Sequence, residues 1–233
     1  SAKNGEIIAY EALMRSQLAT LKNPEMILRI AREENKLEDV ERICIFKSTE
    51  TFDQLRKNKL VKEDALLFIN SIASVSLNDE DRERFHRYFS HIQSQIVVEV
   101  TEEENMSEEA LIRKRETKGF SGMFALDDYG SGYNTEINLL NLSPKYIKID
   151  LTIVRNIDKD FDKQQLVSNI VEYAHQREGY IIAEGIETKE ELLKVLELGV
   201  DYLQGYYLSY PQLNPQEVSN ESIKTIENYW KKR

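Results

Sequence analysis

The stretch MFALDDYGSG (123–132) runs from four apolar residues into two adjacent carboxylates, Asp127 and Asp128, and then into Gly130 and Gly132. A short apolar run closed by turn-forming residues reads as a buried β-strand. Burying one carboxylate is costly, and two neighbours repel each other. The arrangement makes sense if something strongly positive, a metal ion or a pair of them, sits between the two acids.

Runs of the same kind recur along the chain. Strands are expected at 6–14, 65–70, 96–100, 123–127, 146–150, 180–184 and 201–204. Most are continuous apolar runs, the pattern of parallel strands covered on both faces. Helices are expected between them: one opening at Asn23-Pro24, and others over 40–57, 79–92, 107–118, 163–177 and 189–198. Asparagine followed by proline is a cap and a first helical position. Gly119, Gly179 and Gly199 each follow a helix where a left-handed cap is wanted. Alternating strands and helices indicate an α/β fold. With no Gly-rich dinucleotide turn after the first strand, a (β/α) barrel fits better than an open Rossmann-type sheet. Seven strands are one short of closure, so the expectation is a modified TIM (β/α)8 barrel lacking its N-terminal strand. No linker or repeat divides the chain, which reads as one domain over residues 1–233.

Composition narrows the function. At 233 residues, 41% hydrophobic and 31% charged, the chain has the make-up of a globular protein with ample core. Its net charge of −10, with no basic stripe, argues against DNA as a partner. No apolar run approaches the ~18 residues that span a bilayer, and a cytoplasmic setting is expected, alone or as the cytoplasmic part of a larger membrane protein. Cys44 is the single cysteine, so it excludes an internal disulfide and reads as a small core residue.

Nearly every expected strand carries an acid, an amide or a lysine at or near its C-terminal end: Glu11, Asn70, Glu99, Asp127, Lys148 with Asp150, Glu184, and Gln204. In a barrel those ends meet on the face where active sites are built. One strand-end acid is usually a solvated residue or a helix cap; the coincidence across strands shifts the balance. An all-oxygen donor set selects hard cations, Mg²⁺ or Mn²⁺, over zinc. His86, His91 and His175 lie on expected helices and read as surface residues, which leaves no imidazole for a Ser-His-Asp triad. Adjacent aspartates can bridge two metals ~3.5–4 Å apart, the spacing used for in-line displacement at phosphorus. Lys148 could then contact the attacking water and Arg15 a phosphate oxygen.

The segments YEALMRS (10–16), EVTE (99–102), DDYGSGYN (127–134), YIKID (146–150), AEGIET (183–188) and QGYYLSYP (204–211) resemble, in order, the motifs of EAL domains. The resemblance covers nearly the whole chain, and jointly the motifs are specific. It implies a phosphodiesterase that linearises the bacterial messenger cyclic di-GMP to pGpG with a two-metal Mg²⁺ or Mn²⁺ site. By the same resemblance Glu11, Asn70, Glu99 and Asp127 hold one metal, and Asp127 and Asp128 the second. Lys148 contacts the nucleophilic water, with Glu184 as outer ligand or water partner and Glu11 counted with them as catalytic. Leu13, Arg15, Asp150, Gln204 and Pro211 contact the substrate. Glu102 and Ser131 anchor the loop over 128–134, and Glu187 is the second acid of the AEGxE motif. Tyr129 and Ser131 stand where phenylalanine and threonine are commoner, and the family's antiparallel first strand with its Gln-Pro-Ile segment is not in this sequence. Family members often form homodimers and are flanked by sensory or GGDEF-type domains. Some bind cyclic di-GMP without cleaving it, and such a sensor is the alternative function. Those often lose a metal ligand or the lysine, whereas this chain keeps both.

Overall fold

The computed structural model describes residues 1–16, 18, 21, 23–72, 74–101, 123–131, 139–140 and 142–233. The expected helix over 107–118, Gly119 and Glu102 lie outside these residues. Two compact units emerge, one built on Ala9–Val100 and the other on Ser1–Ile8 and Phe124–Arg233.

The first unit carries β1 (Ala9–Ala12), α1 (Pro24–Glu33), α2 (Leu37–Lys57), β2 (Leu66–Asn70), α3 (Asp79–Phe89) and β3 (Ile96–Thr101). β1 pairs with β2 and β2 with β3, both parallel, in a register that sets Asn70 beside Glu99. Helix starts follow local chemistry. The Asn23 side chain accepts the Glu25 amide at 2.9 Å with Pro24 next, and Asn78 accepts the Asp81 amide at 2.8 Å. Behind the strands, Ile45 and Phe52 of α2 and Phe85 and Phe89 of α3 form one apolar core with Leu67, Ile69 and Ile96.

The second unit carries β4 (Met123–Tyr129), β5 (Tyr146–Ile149), α4 (Leu151–Val154), α5 (Phe161–His175), β6 (Tyr180–Ala183), α6 (Lys189–Glu197), β7 (Tyr202–Leu203) and α7 (Asn220–Lys231). Its strands pair in chain order and in parallel. Leu126, Ile149, Ile181 and Leu192 are buried. Tyr146, Tyr180 and Tyr202 pack ring on ring, with Tyr146 and Tyr180 stacked at 5.7 Å. Burial first, then the neighbouring phenols, pushes Tyr146 up to about 12.

Neither α4 nor α7 was foreseen. α4 is a single turn opened by Asp150, whose carboxylate accepts the Thr152 amide at 2.8 Å. α7 opens at Ser219 and buries Ile226. One expected cap is displaced by a residue. Gly199 is left-handed at φ 84°, but after α5 the left-handed residue is Glu178, at φ 55°, and not Gly179. Gly179 serves instead by close approach, since a Cβ there would lie 3.2 Å from the Ala174 carbonyl oxygen.

The loops after β6 and β7 are in backbone contact. Ile186 donates to the Gln204 carbonyl at 3.1 Å, and Tyr207 donates to the Ile186 carbonyl at 3.0 Å. Gly205 sits at φ 154°, and a Cβ on it would fall 2.2 Å from the Ile186 oxygen and 2.3 Å from its nitrogen. Backbone on both sides cannot yield. We therefore expect Gly205→Ala to lower unfolding stability by about 2–4 kcal/mol, measured by urea denaturation. A loss under about 0.5 kcal/mol would show that these loops are not packed as described.

Candidate metal centre

The two adjacent aspartates end up together because β4 is irregular. Along a regular strand neighbouring side chains point to opposite faces. Here Leu126 pairs with Ile147 and Tyr129 with Ile149, so β4 holds one extra residue between the two contacts. Such a bulge re-aims a side chain. Asp128 takes it up in the left-handed region, at φ 56°. Its carbonyl accepts the Ser131 amide at 3.1 Å and the Ser131 hydroxyl at 2.8 Å, which closes the turn. Carboxylate oxygens of Asp127, Asp128 and Glu184 consequently lie within 4.8 Å of one another.

Lys148 stands among these acids. It is only 2% exposed, and its ammonium lies 2.9 Å from Asp127 Oδ1 and 2.9 Å from Glu184 Oε1. A buried ammonium is tolerable only when paired in this way. Three carboxylates against one ammonium still leave a formal excess of negative charge. An all-oxygen, net-negative cluster of this size fits a hard divalent cation, which would supply the missing charge.

Elsewhere in the same unit, Gln204 is exposed, donates its amide to the Ala183 carbonyl at 2.9 Å and accepts from Ile186. Glu187 takes the Arg155 guanidinium on both oxygens, with Nη2 at 2.6 Å. Pro211 is exposed. Asp150 is occupied as the cap of α4. Arg155 and Glu191 were not singled out from the sequence. Glu191 was findable, because Thr188 followed three residues later by glutamate is a capping-box spacing.

In the β1–β3 unit, the Asn70 side chain donates to Glu11 Oε1 at 3.2 Å, and Asn70 neighbours the buried Glu99 in register. The three expected ligands of this unit therefore occupy adjacent strand ends. Leu13 is exposed, and Arg15 donates to the Met14 carbonyl at 2.8 Å. Buried Glu41 of α2 accepts the Ser71 hydroxyl and the Ile72 amide, just beyond Asn70. Cys44 is half-buried rather than core, with its sulfur 3.8 Å from that of Met14. His86, His91 and His175 bond to Gln93, Asp53 and Asp201.

Comparison with known proteins decides the family. The EAL domain profile matches residues 1–211. The chain belongs to the EAL domain family. The EAL domain protein of Listeria monocytogenes EGD-e has a similar structure, with a TM-score of 0.76 at 25% identity over 96% of this chain and 87% of that one. The fold is accordingly the modified TIM barrel of EAL structures. BlrP1 of Klebsiella pneumoniae, solved as a manganese and cyclic di-GMP complex, gives a TM-score of 0.70 at 24% identity, covering 88% of this chain and 52% of that one. Cyclic di-GMP phosphodiesterase PdeF of Escherichia coli K12 is 33% identical over 120 residues, which is 51% of this chain and 16% of PdeF. The chain thus spans a quarter or less of the length of such curated relatives. Among the described residues, no helix is long and apolar enough to cross a membrane.

The carboxylates that brace the loop after β6 have a pH signature. Burial pushes Glu191 upward, but the amides of Asn156, Glu187 and Thr188 outweigh it and hold its carboxyl below the usual range. The Arg155 guanidinium does the same for Glu187. Groups with lowered values stabilise the fold above the ordinary carboxylate pKa, and that stability disappears as pH falls through the folded value. We expect the urea midpoint to drop between about pH 5 and pH 3, and to drop less in Glu191→Gln than in the parent. Equal drops would place the pH dependence elsewhere.

Proposed function

We propose that this EAL domain is a metal-dependent phosphodiesterase that hydrolyses cyclic di-GMP to linear pGpG. The observation that carries the reading is the cluster of Asp127, Asp128 and Glu184 around the buried Lys148 ammonium. A domain kept only for binding has no need to bury a lysine among three acids. In this reading Asp127 and Asp128 are metal ligands, and the family resemblance assigns Glu11, Asn70 and Glu99 to the same centre. The divalent ions, Mg²⁺ or Mn²⁺, supply positive charge and acidify water.

The chain's own residues do the rest. Lys148 is fixed between its two acid partners and offers an N–H donor to water or to a phosphate oxygen. Glu184, hydrogen-bonded to that lysine, can accept a proton from the attacking water. The water oxygen bonds to phosphorus as the bond to the 3′-oxygen breaks, and the departing 3′-oxygen takes a proton from solvent to become a hydroxyl. Leu13, Arg15, Gln204 and Pro211 face substrate in this scheme. Flanking domains, a second copy as partner and a cytoplasmic setting belong to the same proposal.

Incubation with cyclic di-GMP and Mn²⁺, with pGpG followed by chromatography, tests the reading; tight binding without product would instead identify a sensor. Asp127→Asn should abolish turnover, since it removes a charged ligand and leaves Lys148 half-paired. Lys148→Met should lower kcat by at least about a hundredfold with little change in KM. A change confined to KM would refute its proposed contact with the reacting water.

A further inference from the structure

Glu191 is 2% exposed, the third residue of α6, and makes more bonds than a helix cap requires. Its Oε2 accepts the amides of Glu187 at 2.9 Å and Thr188 at 3.1 Å, while Thr188 Oγ1 accepts the Glu191 amide at 3.2 Å. That is a complete capping box, and a solvent-facing glutamine would serve it as well. The second oxygen goes elsewhere. Oε1 accepts the amide of Asn156 at 2.9 Å, from the segment that follows α4, where Asn156 is left-handed at φ 57°.

This bond joins two loops that lead back to the candidate centre. One descends from β5 and Lys148, and the other leaves β6 through Glu184. Between them Gly185 packs so closely that a Cβ would lie 2.4 Å from Leu151 Cβ. The Glu184 amide itself donates to the carbonyl of Ile149, next to Lys148, at 3.1 Å. A carboxylate bonded to both loops is therefore connected through them to Glu184, which touches the Lys148 ammonium at 2.9 Å.

We infer that Glu191 is a positioning residue, whose second oxygen sets the Glu184–Lys148 contact by tying the loop after β6 to the loop after β5. Its kinetic consequence rests on the hydrolytic reading above; its structural consequence does not.

Glu191→Gln separates the two oxygens. The amide carbonyl can keep the capping box, while the NH₂ group then faces the Asn156 amide and that bond is lost. Thr188→Ala is the control, because it weakens the cap and spares the link to Asn156. In Glu191→Gln the Glu184 amide should exchange its hydrogen about tenfold faster, and kcat for cyclic di-GMP with Mn²⁺ should fall about tenfold at unchanged KM. Thr188→Ala should show the lower thermal midpoint with neither change. If Glu191→Gln matches Thr188→Ala in both exchange and kcat, Glu191 is a helix cap only and the inference is overturned. If the parent chain makes no pGpG, the hydrolytic reading fails, and Glu184 exchange in the two variants still decides the positioning role.

Discussion

The ammonium of Lys148 between Asp127 and Glu184 is the constraint on which the β4–β7 unit is organised. A cation that deep is tolerable only beside acids that compensate its charge. The partners come from β4 and from the end of β6, on either side of the strand that carries the lysine. Parallel register alone brings the three close. The bulge at Asp128, the cap at Asp150 and the braces at Glu187 and Glu191 then set where their charged atoms stand.

That order, register first and loop bracing second, explains what could be read from the sequence. Strand ends were legible because a polar residue closing an apolar run is a local signal. Asp127, Lys148 and Glu184 were placed on strands by such signals, and Asn23 and Thr188 announced their helices by capping chemistry. The family motifs added the order in which the acids recur, and the EAL profile over residues 1–211 agrees with it.

What escaped depends on partners far along the chain. Nothing in residues 123–129 says that one of them is surplus to the pairing with β5; that depends on β5 itself. The Glu191 bond reaches back 35 residues to Asn156, and the Glu41 bonds reach forward to Ser71 and Ile72. α7 is a different case: Ile223, Ile226, Tyr229 and Trp230 recur at helical spacing behind the Ser219 cap, a local signal that was there to be read. Glu178 rather than Gly179 turns left-handed because the glycine is needed where α5 nearly touches the next strand, a steric demand with no local signature.

The bulge in β4 has a consequence for how the chain tolerates change in length. Side-chain direction along a strand is a parity, and one supernumerary residue is what lets two consecutive aspartates share a target. Deleting Leu126 or Tyr129 would remove the surplus residue and send one of the two carboxylates to the far side of the ladder. No substitution in that segment could repair it, because the fault would lie in the count and not in the identity of the residues. The strand is thus constrained in its length as well as in its residues, a reading frame written in backbone geometry.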